Sequence, residues 1–482
     1  MNRDSQNPLL GAVVRVTGVR PEEAATVLLS AAYFFLVLSA YYVLRPIRDA
    51  MGVAGGVDNL VWLFTATAAV MLLLHPVFAA IVARWTRRRF VAVTYRFFML
   101  CLIVFFFVLN ALPEGGQAEI WVGRSFFIWT SVFNLFVVSV FWSFMTDLYR
   151  ERQSRRLFAL IGVGGTMGAI LGSSITAFLT GIFSEHALLW FSVLLLEGAV
   201  ACVRGLDRRA KALKRDGPAD VSGAGGEGTE GGTARADEPR EDAGAAGVRG
   251  AETYGGPESQ TRRDEPPNAS EKVIGGSPLE GIARVLRSPY LLGVCVFMIL
   301  FTTGSTFIYG MVASAVDLTF PDDTLHPAIF ARMDLAVNIL TLLTQLFLTG
   351  RIVKRLGVAV TLALLPLLSM AGFLTLAMAP VFAVVVVFHV LRRAGNFAVA
   401  VPMREVLYTV LRRSDKYKAK NFNDTVMYRT GDLVGIWSFR ELGYAGFDTS
   451  ALAWTMVPVA GAWVFVSLWL GRRQRELAAT AG

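Results

Sequence analysis

The sequence predicts an all-α, polytopic membrane protein with about twelve spanning helices in two six-helix bundles. Three observations carry that expectation. The 482-residue chain is 54% hydrophobic and only 17% charged, where soluble domains average roughly 25% charged, and its mean hydropathy is +0.51. Apolar runs that meet the bilayer requirement of roughly 20 residues of helix recur along most of its length. Basic residues collect in every second connection between those runs.

The runs fall at 24–50, 59–83, 90–110, 119–146, 157–182 and 186–204, and resume at 289–316, 327–350, 356–379, 380–403, 421–444 and 449–471. Pro380 marks the break between the third and fourth helices of the second set, because proline interrupts the helical hydrogen-bond ladder. The first run, Ala24 to Leu44, is longer than the roughly 7–15 apolar residues of a secretory signal core. It ends in Arg45-Pro46-Ile47-Arg48-Asp49 rather than in small residues, so it reads as the first membrane helix.

Charge sets the orientation. With the N-terminus on the cytoplasmic side, the even-numbered connections are the basic ones: Arg84, Arg87, Arg88 and Arg89; Arg150, Arg152, Arg155 and Arg156; Arg351, Lys354 and Arg355; Arg412, Arg413, Lys416, Lys418 and Lys420; Arg472, Arg473 and Arg475. The opposite loops carry Glu114 and Glu119, or Asp317, Asp322 and Asp323. Basic residues favour the cytoplasmic face, which predicts a multi-pass protein of the cell (inner) membrane with both termini inside.

Residues 205–285 differ from everything around them. They are rich in Gly, Ala, Glu, Asp and Arg, nearly free of large apolar side chains, and predict a disordered cytoplasmic linker. Its basic start, from Arg204 to Arg215, is suited to lying along anionic headgroups. The expected organisation is therefore an N-terminal bundle over 1–204, the linker over 205–285 and a C-terminal bundle over 286–482. The halves echo one another: helices 2 and 8 are each followed by a short basic turn, helices 4 and 10 by a longer one. Repeated six-helix halves are the plan of major-facilitator transporters, which hold substrate near the midplane between halves.

The formal net charge of +9 sits in loops between apolar segments, so the lipid bilayer is the expected partner and nucleic acid is not. Cys101, Cys202 and Cys295 lie in separate runs and give neither a disulfide framework nor metal spacing. Gly162, Gly164, Gly165, Gly168 and Gly172 follow no strand and precede no Gly-Lys-Ser/Thr, so they are no phosphate loop. Three of them recur every fourth residue, the pattern of a close-packing helix face. Without a Ser/His/Asp set, an HExxH or a Cys/His cluster, the expectation is a non-enzyme with no cofactor and no metal.

Charges inside membrane helices are costly and mark function. Here they are Arg45, Arg48, Asp49, Arg96, Arg124, Glu197, Asp334, Arg392, Arg393, Arg429 and Asp432. Arginines outnumber acids, and fixed guanidiniums suit phosphate or carboxylate oxygens, so the expected passenger is an anionic small molecule. Arg45, Arg48, Asp49, Arg393, Asn396, Tyr428 and Arg429 are the candidate substrate-binding residues. Glu197, Asp334 and Asp432 are the candidates for coupling or ion pairing. Arg45 and Arg48, three residues apart, share a helix face near its outer end; snorkelling to the interface is the alternative reading of that pair. Only one of the adjacent Arg392 and Arg393 is expected to face the cavity, with its partner drawn from Asp334 or Glu197. Arg429 and Asp432 are spaced to pair with each other.

Several segments resemble the ATP:ADP antiporter (nucleotide transporter) family of intracellular bacteria and plastids. Tyr42-Val43-Leu44-Arg45-Pro46-Ile47-Arg48-Asp49 is similar to its first-helix Tyr-x-x-Leu-Arg-x-x-Lys-Asp. Phe141-Trp142, then Arg155-Arg156-Leu157-Phe158 and Gly162-Val163-Gly164, look like its helix 4–5 signature. Pro402-Met403-Arg404-Glu405-Val406-Leu407-Tyr408 is similar to its Pro-x-Lys-Glu-x-x-Tyr, and Lys416-Tyr417-Lys418-Ala419-Lys420 with Asp424 and Arg429 to its lysine run before helix 11. Arg48 stands where the family has a lysine, and Asp432 where it has another, reversing that charge. The resemblance implies a divergent bacterial member exchanging nucleotides or related phosphorylated anions. Two other expectations stand beside it: a proton-coupled transporter of another solute that uses Asp334, Glu197 or Asp432, and a non-transport membrane scaffold whose linker binds a soluble partner.

Overall fold

The computed structural model describes residues 21–54, 56–84, 87–113, 115–149, 151–215, 285, 287–411, 419–420 and 422–481. Among these residues the structure is helical, with no strand. Six helices precede residue 216: α1 (Pro21–Val53), α2 (Leu60–Arg84), α3 (Arg87–Ala111), α4 (Gln117–Leu148), α5 (Glu151–Leu179) and α6 (Leu189–Arg215). Six more come after residue 284. They are α7 (Pro289–Thr319), α8 (His326–Thr344 with a π turn Gln345–Thr349), α9 (Gly350–Met378), α10 (Phe382–Gly395, a π turn Asn396–Ala400 and Val401–Leu407), α11 (a π turn Asn423–Met427 and Tyr428–Tyr444) and α12 (Thr449–Ala481).

Eleven of these are long and apolar enough to cross a membrane. The twelfth, α11, carries Arg429, Asp432, Arg440 and Glu441, which dilute its hydropathy without breaking the helix. Two boundaries differ from the sequence expectation. Helix α6 runs on to Arg215, so 205–215 is helix rather than linker; Leu206, Arg208, Arg209, Ala210, Lys211, Ala212, Leu213 and Lys214 are good helix formers. The rest of the expected linker, 216–284, lies outside the described residues, as do the side chains of His75 and of the basic residues 84–89 and 150–156. No loop separates α8 from α9: the chain turns within the helical run at Gly357, whose φ of 69° is open to glycine without strain.

Within each half, glycine brings helices together. A Cβ at Gly164 would stand 2.5 Å from Ala31 O, and at Gly168 and Gly172 it would meet Phe35 O and Ser39 O, so α5 lies against the α1 backbone at three successive turns. Ser39 Oγ donates to Gly168 O at 3.0 Å across the same seam. In the second half the corresponding pair is α7 with α11, where Gly431 and Gly435 lie against Thr302, Ile299 and Thr303. Small residues allow such backbone approach where no hydrophobic force drives helices together.

Between the halves the contacts are of another kind. Helix α8 packs on α1 and α5, and α11 packs on α2. A hydrophobic cluster straddles both halves: Ala50, Val53, Leu60, Val61, Leu63 and Phe127 with residues such as Phe307, Met311, Val316 and Phe330. Trp437 Nε1 donates to Thr65 Oγ1 at 3.2 Å, and the Trp62 and Trp437 rings meet edge to face at 5.3 Å. These residues lie toward the end of the bundle that carries the acidic loops, so the halves are sealed there. Side chains such as Leu73, Phe107, Phe178 and Phe465 are mostly exposed on the outside of the bundle, as expected of a surface in contact with lipid rather than water.

The glycine seam gives the first prediction. Gly168→Ala sets a methyl against the Phe35 carbonyl and forces the α1–α5 backbones apart, at an overpacking cost of roughly 1–3 kcal/mol. A lower melting temperature in detergent than wild type is expected, whereas Gly162→Ala, where a Cβ meets nothing within 4 Å, leaves it near the wild-type value.

Candidate functional site

Charged residues of α1, α10 and α11 line a cavity of about 300 Å³ between the halves, and Asp334 of α8 pairs with two of them. Arg45 and Arg48 project from the last nine residues of α1, on either side of Pro46. Neither reaches a headgroup region: both are largely buried, and their heads lie on carboxylates. The snorkelling alternative is therefore replaced by ion pairing. Arg48 Nε donates to Asp49 Oδ1 at 2.9 Å, a second nitrogen of the same guanidinium also binds that oxygen, and the head stacks over Phe127 at 4.8 Å. Arg48 Nη1 also reaches Ser131 Oγ at 3.4 Å. Tyr309 of α7 donates its hydroxyl to Asp49 from the opposite half at 3.1 Å.

Asp334 is the hinge of the arrangement. Its side chain is only 3% exposed. Arg45 of the first half donates to its Oδ1 at 3.2 Å, and Arg393 of the second half donates to the same oxygen at 2.5 Å. The other oxygen, Oδ2, is buried without a hydrogen-bond partner, as is Arg393 Nη2. Arg393 Nη1 lies 3.5 Å from His389 Nε2. A guanidinium only donates, so that ring nitrogen accepts and the imidazole there is neutral.

Arg392 takes a different environment from its neighbour. It is 2% exposed and donates to Ser305 Oγ at 2.8 Å, Ser369 Oγ at 3.0 Å and Phe301 O at 3.0 Å, all of them uncharged. Gly304 makes room for it, since a Cβ there would sit 3.2 Å from Nη2. Both Arg392 and Arg393 line the cavity, so the expectation that only one does is corrected. The two leave the helix about 100° apart, and both long side chains reach the cavity; the π turn at Asn396–Ala400 comes directly after them. Asn396 also lines the cavity, with its Oδ1 unpartnered.

Helix α11 supplies the third group. Arg429 donates to Asp432 Oδ2 at 2.9 Å, and Thr306 of α7 donates to Oδ1 at 2.9 Å. Tyr428 lines both this cavity and a smaller cleft of about 240 Å³ lined by Arg404, Glu405, Tyr408 and Asp424, nearer the basic-loop end.

Glu197 does not join this group. Its half-exposed carboxylate sits on the outer flank of α6, 3.3 Å from Arg96 and 3.5 Å from Arg204. The expectation that Glu197 partners the α10 arginines is thus corrected: its ion pairs are with Arg96 and Arg204. Arg124 likewise lies outside, with its head 4.7 Å over Trp121, and Asn338 bonds Ser173 across the α5–α8 interface at 3.2 Å. Sequence reasoning missed Ser131, Ser305, Thr306, Tyr309, Ser369 and His389. All are neutral, and nothing distinguishes them from ordinary helix-packing polar residues until the helices are assembled.

Residues 143–416, more than half of the chain, match the sequence model of the Major Facilitator Superfamily. The chain belongs to that superfamily. It is a membrane transporter of this type. Solved structures with the same fold include the nucleoside transporter NupG (TM-score 0.55, 12% identity, 94% of this chain and 99% of that one). A bacterial homologue of the iron transporter ferroportin in its inward-facing state is also similar (0.57, 13%, 93% and 98%). So is a POT family transporter in complex with 5-aminolevulinic acid (0.58, 10%, 94% and 96%). At these identities the likeness concerns the fold alone. A search of curated proteins finds no significant match.

The shared carboxylate gives the second prediction. Asp334→Asn leaves Arg45 and Arg393 facing each other across the halves, and breaking a buried pair this way costs roughly 3–5 kcal/mol. Thermal denaturation in detergent should show a large drop for Asp334→Asn and partial recovery when Arg45→Gln is added, because the double variant no longer opposes two bare cations.

Proposed function

We propose that this transporter exchanges nucleotides or related phosphorylated anions by alternating access, with the halves 1–204 and 286–482 moving about the central cavity. One observation carries the reading. Five guanidiniums line the cavity, and three carboxylates, Asp49, Asp334 and Asp432, touch them. Positive charge in excess of its fixed partners, held in a low-dielectric bundle, favours an anionic ligand. The resemblance of the α1, α10 and α11 segments to the ATP:ADP antiporter family supports the same class of cargo.

The seal at the acidic-loop end, with Tyr428 joining the cavity to the cleft near the basic-loop end, supports a state open toward the basic loops. The positive-inside pattern makes that side the cytoplasm of an inner-membrane protein. An anion that neutralises the cavity lowers the cost of moving its charges past the midplane. Loaded carrier therefore reorients more readily than empty carrier, which favours exchange over net flux. Proteoliposomes loaded with a nucleotide mixture should take up labelled nucleotide only when nucleotide is present inside. Arg393→Gln should reduce that counterflow by roughly tenfold or more, as expected for loss of a charge-assisted contact. Absence of counterflow with every phosphorylated anion tested would overturn the assignment.

A second reading, proton-coupled transport, rests on Asp334, whose free oxygen lies between cations from both halves. Uptake that follows an imposed pH gradient without substrate on the far side, and that is abolished in Asp334→Asn, would favour it over exchange.

A further inference from the structure

The charge pattern of the cavity carries more than its sign. Arg429 is balanced by Asp432. Arg45, Arg48 and Arg393 share two carboxylates, Asp49 and Asp334, so that cluster retains one positive charge. Arg392 retains another, because its partners are two serine hydroxyls and a carbonyl. His389 adds none, since its Nε2 accepts from Arg393. Among the described residues the adjoining cleft is balanced: Lys420 pairs with Glu405 at 2.6 Å, and Arg404 and Asp424 both line it. Among the described residues the surplus is thus two, one on the Arg45–Arg48–Arg393 cluster and one on Arg392.

Around these charges the walls are aromatic: Phe64, Phe127, Phe301, Tyr309, Phe397 and Tyr428. The volume of about 300 Å³ is at the small end of the range for small-molecule sites. Three residues lining this region, Arg393, His389 and Asn396, each hold a buried polar atom without a hydrogen-bond partner, namely Nη2, Nδ1 and Oδ1.

We propose that the cavity is matched to a dianion, a phosphate monoester carrying one ring system, and that Arg392 and Arg393 are its phosphate clamp. This rests on the phosphorylated-anion reading above and narrows it. A phosphate monoester carries close to two negative charges at pH 7, its second ionisation lying near pH 6. A diphosphate or triphosphate brings charge that the cavity does not match, and a sulfate ester of the same shape brings only one.

The test uses full-length protein in detergent and reads melting temperature against ligand concentration. The ligands are phenyl phosphate, phenyl sulfate and adenosine 5′-mono-, di- and triphosphate. The expected result has three parts. The phosphate monoester binds at least about tenfold more tightly than the sulfate ester, the worth of one charge-assisted contact. Adenosine monophosphate outbinds the triphosphate. Phosphate monoester affinity falls about tenfold between pH 7.5 and pH 5 as the dianion is protonated, while sulfate affinity, which reports any titration of the protein itself, stays level.

Arg392→Gln should bring the phosphate and sulfate esters to within about twofold of each other. Because loss of a buried arginine can cost the fold, Asp432→Asn serves as the opposite change: it adds one positive charge and should move the preference toward the diphosphate. Equal binding of phosphate and sulfate esters, or a triphosphate that outbinds the monophosphate, overturns the dianion match but leaves a phosphorylated cargo standing. No response to any phosphorylated ligand overturns both.

Discussion

A guanidinium cannot shed its charge in the bilayer, so every arginine inside this bundle requires a nearby anion or a set of well-placed dipoles. That requirement organises the centre of the molecule. Asp49 answers it within α1, Asp432 within α11, and Asp334 answers it across the halves by meeting Arg45 and Arg393 together. Arg392 is held instead by hydroxyls and a carbonyl. The same contacts that make these buried charges tolerable also bring α1, α8 and α10 to one point. The ion pairs of the site are therefore part of what joins the halves, and a ligand that competes for Asp334's partners acts on that joint directly.

The two kinds of helix interface suit this arrangement. Inside each half, glycine seams place backbone against backbone, at α1–α5 and again at α7–α11, so a half has little freedom to deform. Between the halves α8 packs along α1 and α5, where Asn338 donates to Ser173, and a cluster of apolar side chains toward one end adds to that contact, with Trp437 donating to Thr65. Packed seams of this kind resist gradual deformation.

Two π turns of the second half adjoin the cavity, and a third ends α8 away from it. One comes just after Arg392 and Arg393 in α10, one precedes Tyr428 and Arg429 in α11, and one ends α8 below Asp334. The π turns of α8 and α10 touch: Thr349 Oγ1 donates to Ala398 O at 3.0 Å. A π turn widens a helix by one residue and rotates the remainder of the helix about its axis, a feature concentrated at functional sites. In α10 it follows both arginines and carries Asn396 and Phe397, which line the same cavity.

Much of this was legible in the chain because it is one-dimensional information. The number and order of helices come from apolar runs, since a bilayer admits little else, and even the charged α11 was readable from its apolar flanks. The pairing of Arg429 with Asp432 comes from their spacing. The cationic character of the cavity comes from the excess of arginine within helices. What only the tertiary structure decided is which charges meet. Glu197 and Asp334 look alike in sequence, each a lone acid in an apolar helix, yet one faces outward between Arg96 and Arg204 and the other lies at the centre between two halves. The reason is physical: helix sequence specifies which residues share a face, but the direction of that face depends on packing partners nearly 300 residues away for Arg45 and Asp334. The serine and threonine dipoles around Arg392 and Asp432 depend in the same way on helices that are distant in the chain and adjacent only in the fold.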